Sequence, residues 1–303
     1  MSRRKAKNRY GRTLLTEASK FDCSPEAVRR LIPLCRIHER NLALCKAAKN
    51  GNLAVVLELI PRCDARAGDS KALRLAAMYG HLDVVNALIP VSDVAEGNNR
   101  PLFWAAVRGH IEIVRALIPF SDPTVNNNSA LSAAAERGNL KIVQILVPLS
   151  DPKANHSEAL RRAAAAGHRE IVAALIPVSD PKANNSQALR MAAEYDQVDV
   201  IGMLLPLSDA VNVFRELLNA LVEIVRQHGI EEVEQQQLYH PPLRDIKALI
   251  PHLEDDFLDR AVLDLPAGLA NLLPRLCVRR DRLVVREATA PYAAATPCRR
   301  RSL

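Results

Sequence analysis

Three histidines, His81, His110 and His168, each follow a glycine at the same point of a 29-residue spacing. Imidazole is the side chain best suited to take and return a proton near neutral pH. Serine–aspartate pairs at 121–122, 150–151 and 179–180 repeat on the same spacing and add hydroxyls and carboxylates. Catalysis would require such groups to converge within hydrogen-bond reach. Helices packed side by side instead set equivalent residues on the order of 10 Å apart. The histidines and the Ser-Asp pairs are therefore expected to hold turns, each by hydrogen bonding within its own turn.

Other chemistry is sparse. Cys35 and His38 make a lone C-x-x-H, and the six cysteines (Cys23, Cys35, Cys45, Cys63, Cys277, Cys298) include no C-x-x-C pair. A zinc module needs a second close pair, so reduced thiols are expected and no metal. Glu254, Asp255 and Asp256 read as an acidic helix start, which the helix dipole favours. Glu234, His240 and Asp245 are polar and lie in or just after an insert, with too little surrounding chain to enclose a site. No glycine-rich phosphate loop, nucleophile elbow or zincin motif is present. The chain reads as non-enzymatic, with no catalytic residue and no cofactor.

The elements that carry these residues are short helices. Leu-Ile-Pro or a close variant ends at Pro61, Pro90, Pro119, Pro148, Pro177 and Pro206. A leucine recurs at Leu44, Leu73, Leu102, Leu131, Leu160 and Leu189, followed after three and four residues by an alanine pair such as Ala76 and Ala77. Small residues there let two helices approach closely. Gly51, Gly80, Gly109, Gly138 and Gly167 then reverse the chain, where positive φ is needed; the last copy carries Asp196. Beyond comes a second apolar stripe, Leu82, Val84, Val85, Leu88 and Ile89 in one copy, at helical spacing. Its proline is expected to stop the helix and hold the residue before it extended. The polar connector that follows ends at Ser70, Asn99, Asn128, Ser157 or Ser186, expected to N-cap the next helix.

Arg-Pro-Leu-Phe-Trp-Ala-Ala-Val-Arg-Gly-His at 100–110 and Ala-Leu-Arg-Arg-Ala-Ala-Ala-Ala-Gly-His at 159–168 resemble the ankyrin repeat pattern T-P-L-H-x-A-A-x-x-G-H. The resemblance covers about residues 13–217. It implies an all-α, helix-turn-helix solenoid. The family's usual period is 33, and the four missing residues fall in the connector, so the projecting β-hairpin fingers should be short or absent. The family's Thr and His are mostly replaced, by residues such as Arg74, Ser132, Arg161 and Arg190. Shortened repeats with Asn-Asn-x-x-Ala-Leu-Arg are similar to those of giant viruses and host-associated bacteria, which suggests a host-directed bacterial protein, an effector.

In the ankyrin family the end of the first helix lines the concave, partner-binding side. The resemblance thus points to the two positions before each glycine: Lys49 and Asn50, Met78 and Tyr79, Val107 and Arg108, Glu136 and Arg137, Ala165 and Ala166, Glu194 and Tyr195. These change freely from copy to copy and include the aromatic, Met and Arg types found at interface centres. Trp104, the single tryptophan, is either a filler beside the alanine pair or a binding anchor. The expected partner is another protein, bound by a monomer.

The ends differ. Residues 1–12 form a basic tail, 13–43 a degraded capping repeat with offset Leu31-Ile32-Pro33, and 44–217 six repeats. Residues 218–274 hold a diverged repeat with a polar insert at 227–242 and a cap, and 275–303 an Arg-rich tail without period. Each tail carries +6, so of the total charge of +7 the body holds −5. Such tails offer an alternative function, weak attachment to nucleic acid or an anionic membrane surface. No apolar run is long enough to span a bilayer and no h-region follows the basic N-terminus. A cytoplasmic protein, or one delivered into a host cell without a cleaved signal peptide, is expected.

Overall fold

The computed structural model describes residues 25–209, with 212–214 and 217. Residues 1–24 and 218–303, which include both basic tails and the 227–242 insert, lie outside the described residues. Within them the protein is a row of helix pairs with no strand. First helices span Ile37–Asn50, Ala67–Tyr79, Glu96–Arg108, Val125–Glu136, Ala154–Ala165 and Ala183–Glu194. Second helices, each of seven residues, span Leu53–Leu59, Leu82–Leu88, Ile111–Leu117, Leu140–Leu146, Arg169–Leu175 and Val198–Leu204. Ahead of them, Pro25–Leu31 is a helix packed on Leu53–Leu59.

The repeated residues make the core. Leu44, Leu73, Leu102, Leu131, Leu160 and Leu189 are at most 1% exposed, and every alanine pair from Ala47–Ala48 to Ala192–Ala193 is fully buried. A buried leucine contributes about 1.5–3 kcal/mol through its transfer from water. The alanines let neighbouring first helices press together, and these contacts are more extensive than those between second helices. From the second helices, Val55, Val56 and Leu59 and their equivalents close the core.

Two local expectations are corrected. The proline does not end the second helix by forcing its predecessor extended: Ile60 stands at φ −46°, ψ −51°, and Ile118 at −50°, −46°. The helix tightens instead into a 3₁₀ turn through the proline, as in Ile60–Arg62 and Ile118–Phe120. The residue before the proline still makes its helical bond, Ile60 N–H to Val56 O and Ile118 N–H to Val114 O, and the proline, lacking an N–H, cannot make the next, so the α-helix gives way to a 3₁₀ turn. Extension begins after the turn, at Cys63 and Ser121.

The second correction concerns the connector. Ser70, Asn128, Ser157 and Ser186 sit at the helix start but do not act as N-caps. Each is the third of three successive residues with left-handed φ, as in Asn126, Asn127 and Asn128 at 55°, 55° and 57°. This left-handed turn stands where fingers would project. Their side chains reach the next repeat: the backbone N–H of Asp93 donates to Ser70 Oγ (3.0 Å), that of Asp180 to Ser157 Oγ (2.9 Å) and that of Asp209 to Ser186 Oγ (2.8 Å). Asn128 makes two such bonds, accepting from Asp151 N–H at 3.1 Å and donating to Asp151 O at 2.8 Å. Asn99 donates to Asp122 O at 2.7 Å, but its own oxygen is buried without a partner among the described residues. Asn41 begins the ladder by accepting from Asp64 N–H. Left-handed backbone in non-glycine residues costs about 1–3 kcal/mol each, less for asparagine, and a buried bond to the neighbouring repeat offsets part of it.

The Asp of each connector closes an Asx turn. Asp122 Oδ1 accepts from Thr124 N–H, Asp151 Oδ1 from Lys153 N–H and Asp180 Oδ1 from Lys182 N–H, at 2.9–3.0 Å. The Ser-Asp pairs are thus structural.

Candidate functional site

The three histidines do not share a site; each clamps one repeat to the one before it. The bond expected within a turn crosses instead to the end of the preceding first helix. Nε2 of His81 lies 2.9 Å from Lys49 O, that of His110 3.3 Å from Met78 O, and that of His168 3.0 Å from Glu136 O. A carbonyl only accepts, so Nε2 carries the proton, and the bond satisfies one of the carbonyls orphaned at a helix end. Asn139 substitutes for His by donating to Ala106 O at 2.7 Å. The glycine of the preceding repeat makes room for the ring. At Gly138, with φ at +79°, a Cβ would stand 2.8 Å from His168 Cε1, and at Gly51 only 2.4 Å from His81 Nδ1. Glycine is thus required twice, for its backbone and for the side chain above it.

Beside these clamps run the residues singled out for binding. Tyr79, Arg108, Arg137 and Tyr195, each directly before the turn residue, are exposed, whereas Lys49, Met78, Val107, Glu136 and Glu194 are half-buried. Asn50 is also half-buried. Lys49 Nζ lies 4.9 Å from the centre of the Tyr79 ring, a cation–π contact linking two repeats.

Trp104, Val107, Glu136 and Arg137 come together. They line a groove of about 420 Å³ with Phe103, Asn126, Asn127, Ser129, Ser132, Ala133, Glu158 and Arg162. The groove follows from one repeat having small residues where its neighbours have large ones. Ser129, Ser132 and Ala133 occupy the positions of Arg100, Phe103 and Trp104 before them and of Glu158, Arg161 and Arg162 after. Phe103 and Trp104 form one wall, their rings edge to face at 5.4 Å; Trp104 is half-buried, neither core nor free surface. On the opposite wall Arg162 pairs with both Glu136 and Glu158. Burial pushes the Glu158 carboxyl up, but hydrogen bonds from Asn155 and Arg162 and the charges of Arg162 and Arg161 outweigh it and hold the group below its ordinary value.

Met78 and Tyr79 lie toward one end of this strip and Glu194 and Tyr195 toward the other; neither pair lines the groove. Phe103, Ser129, Ser132, Ala133, Glu158 and Arg162 were absent from the residues expected by sequence. Aligning the copies on the 29-residue register, position by position, exposes the small-for-large exchange.

The family model for ankyrin repeats (3 copies) matches residues 14–100, 73–157 and 131–215. This chain belongs to the ankyrin repeat family. Ankyrin repeats are generally protein–protein interaction modules and typically non-enzymatic scaffolds. No curated protein matches the chain. Among the described residues, no group of His, Cys, Asp and Glu could hold a metal ion, and no helix is long and apolar enough to cross a membrane. Cys35, Cys45 and Cys63 are free thiols. Burial raises the pKa of all three, that of Cys63 to about 12, which suppresses the reactive thiolate.

Proposed function

We propose that this ankyrin repeat protein is a monomeric scaffold that holds another protein along the row of first helices, with the Trp104 groove at the centre. One observation supports this above the others. The groove gathers an aromatic wall, a bridged Glu-Arg-Glu wall and exposed Arg137 on a face whose backbone the inter-repeat clamps hold rigid. Rigid aromatic and Arg anchors in a concave site are the usual composition of an interface centre. The shortened Asn-Asn-x-x-Ala-Leu-Arg repeat supports a host protein as the partner. Attachment to polyanions through the tails rests on residues 1–12 and 275–303, outside the described residues.

The test is replacement of Tyr79, Arg108 and Arg137 together by Ala, followed by affinity capture from native and host lysates with mass spectrometry. Capture should be lost while circular dichroism stays that of the parent protein. Capture of the same partners at unchanged yield would place the site elsewhere.

A further inference from the structure

Charge is segregated within each repeat. In the ten-residue windows 42–51, 71–80, 100–109, 129–138, 158–167 and 187–196, which hold the right-handed part of each first helix and its turn, ten Lys and Arg stand against four Asp and Glu. In the rest of 42–209 the balance reverses, with seven Lys and Arg against thirteen Asp and Glu. Residues 42–209, whose charges balance overall, thus present a basic strip bordered by connectors and second helices that are acidic in sum.

Within that strip the acids around the groove are already engaged. Glu136 and Glu158 share Arg162, whereas Arg108 and Arg137 are exposed and have no carboxylate partner among the described residues. The groove has a floor of Ser129, Ser132 and Ala133 against the Phe103–Trp104 wall and half-buried Val107; Arg137 lines it, and Arg108 follows Val107 in the chain. The space is small, at the low end of ligand-sized cavities, and fits one large apolar side chain.

We infer that the segment this strip binds is an acidic polypeptide that places one aromatic or large aliphatic side chain in the groove over Ala133, with neighbouring Asp or Glu facing Arg137 and Arg108. The inference rests on the proposed partner-binding role of the first helices and specifies the chemistry of the partner. A polypeptide suits the strip better than a nucleic acid. The connectors and second helices together carry the opposite net charge from the strip, seven Lys and Arg against thirteen Asp and Glu, so a wide polyanion would meet like charge at its edge.

The experiment selects random 12-residue peptides displayed on phage against the full chain, with binding of the enriched peptides measured by fluorescence anisotropy. Enriched sequences should carry Asp or Glu flanking one Trp, Phe or Leu, and binding should weaken as salt rises. Ala133→Trp, which copies the residue of the preceding repeat, and the pair Arg108→Glu with Arg137→Glu should each weaken it about tenfold or more. Thermal melting of each variant checks folding. Basic or neutral peptides that still lose binding in these variants would overturn the acidic partner while leaving the strip as the site. Peptides indifferent to both variants would overturn the strip itself. A 12-nucleotide single-stranded DNA bound as tightly as the best peptide and equally sensitive to Ala133→Trp, or a selection that enriches nothing, would overturn the polypeptide assignment.

Discussion

At Glu136 two regions of the molecule meet in one residue. Its carbonyl oxygen accepts from His168, 3.0 Å away in the next repeat, while its carboxylate pairs with Arg162 on the groove wall. Lys49 and Met78 are placed alike, with backbone carbonyls held by His81 and His110 and side chains that differ from copy to copy. The junction between repeats admits few residue types because each of its groups has a partner at a fixed distance. The strip beside it admits many, because its side chains point to the surface and contacts such as Glu136–Arg162 or Lys49–Tyr79 are made differently in each copy. A variable position on a fixed backbone is what a recognition surface needs, since exchange of a side chain leaves the frame in place.

Breaking the junction should produce the largest effects. Gly138→Val places a side chain against the His168 ring at positive φ and should cost about 3 kcal/mol or more in urea unfolding. Adding His168→Ala should recover the steric part of that loss and leave the backbone strain, a non-additivity that a double-mutant cycle would measure. The ladder should grade the same way. Asn128→Ala removes two inter-repeat bonds and should cost about 2 kcal/mol, against about 1 kcal/mol for Asn99→Ala, which removes one. Equal losses would show that the second bond contributes nothing.

Arg137→Ala on the strip should change stability by less than about 0.5 kcal/mol while weakening partner binding. Smaller still is the response to acid. The Glu158 carboxyl is held below its ordinary value in the folded protein. Its contribution is present above the unfolded pKa and is lost as pH falls through the lower folded one. With Arg162 exposed and Glu158 half-buried, NMR of the groove should show the pair releasing only below the usual carboxylate range, with a small change in global stability.

The repeat, its buried leucines and alanine pairs, and the all-α stack were legible in sequence because one contact recurs every 29 residues. The roles of His81 and Ser70 were legible only as positions. Their partners lie 32 residues back and 23 residues on, and a turn motif does not state which neighbour its side chain will reach. The proline was misread for a related reason. The rule that its predecessor is extended describes an isolated dipeptide, and here a helix already under way carries Ile60 through in a 3₁₀ turn. Of the site, the exposed row from Tyr79 to Tyr195 could be named from its variability. The groove could not, because it is made by what Ala133 and Ser132 lack.

The difference between the two regions can be tested most directly by photo-crosslinking. A benzoyl-phenylalanine placed at Arg137 on the strip, and in a second protein at Ala173 on the exposed side of a second helix, would be irradiated in the same native lysate. Crosslinks from position 137 to a defined partner, absent from 173 and absent again when Tyr79 and Arg108 are replaced by Ala, are the predicted result. The same partner crosslinked from 173 and not from 137 would contradict it.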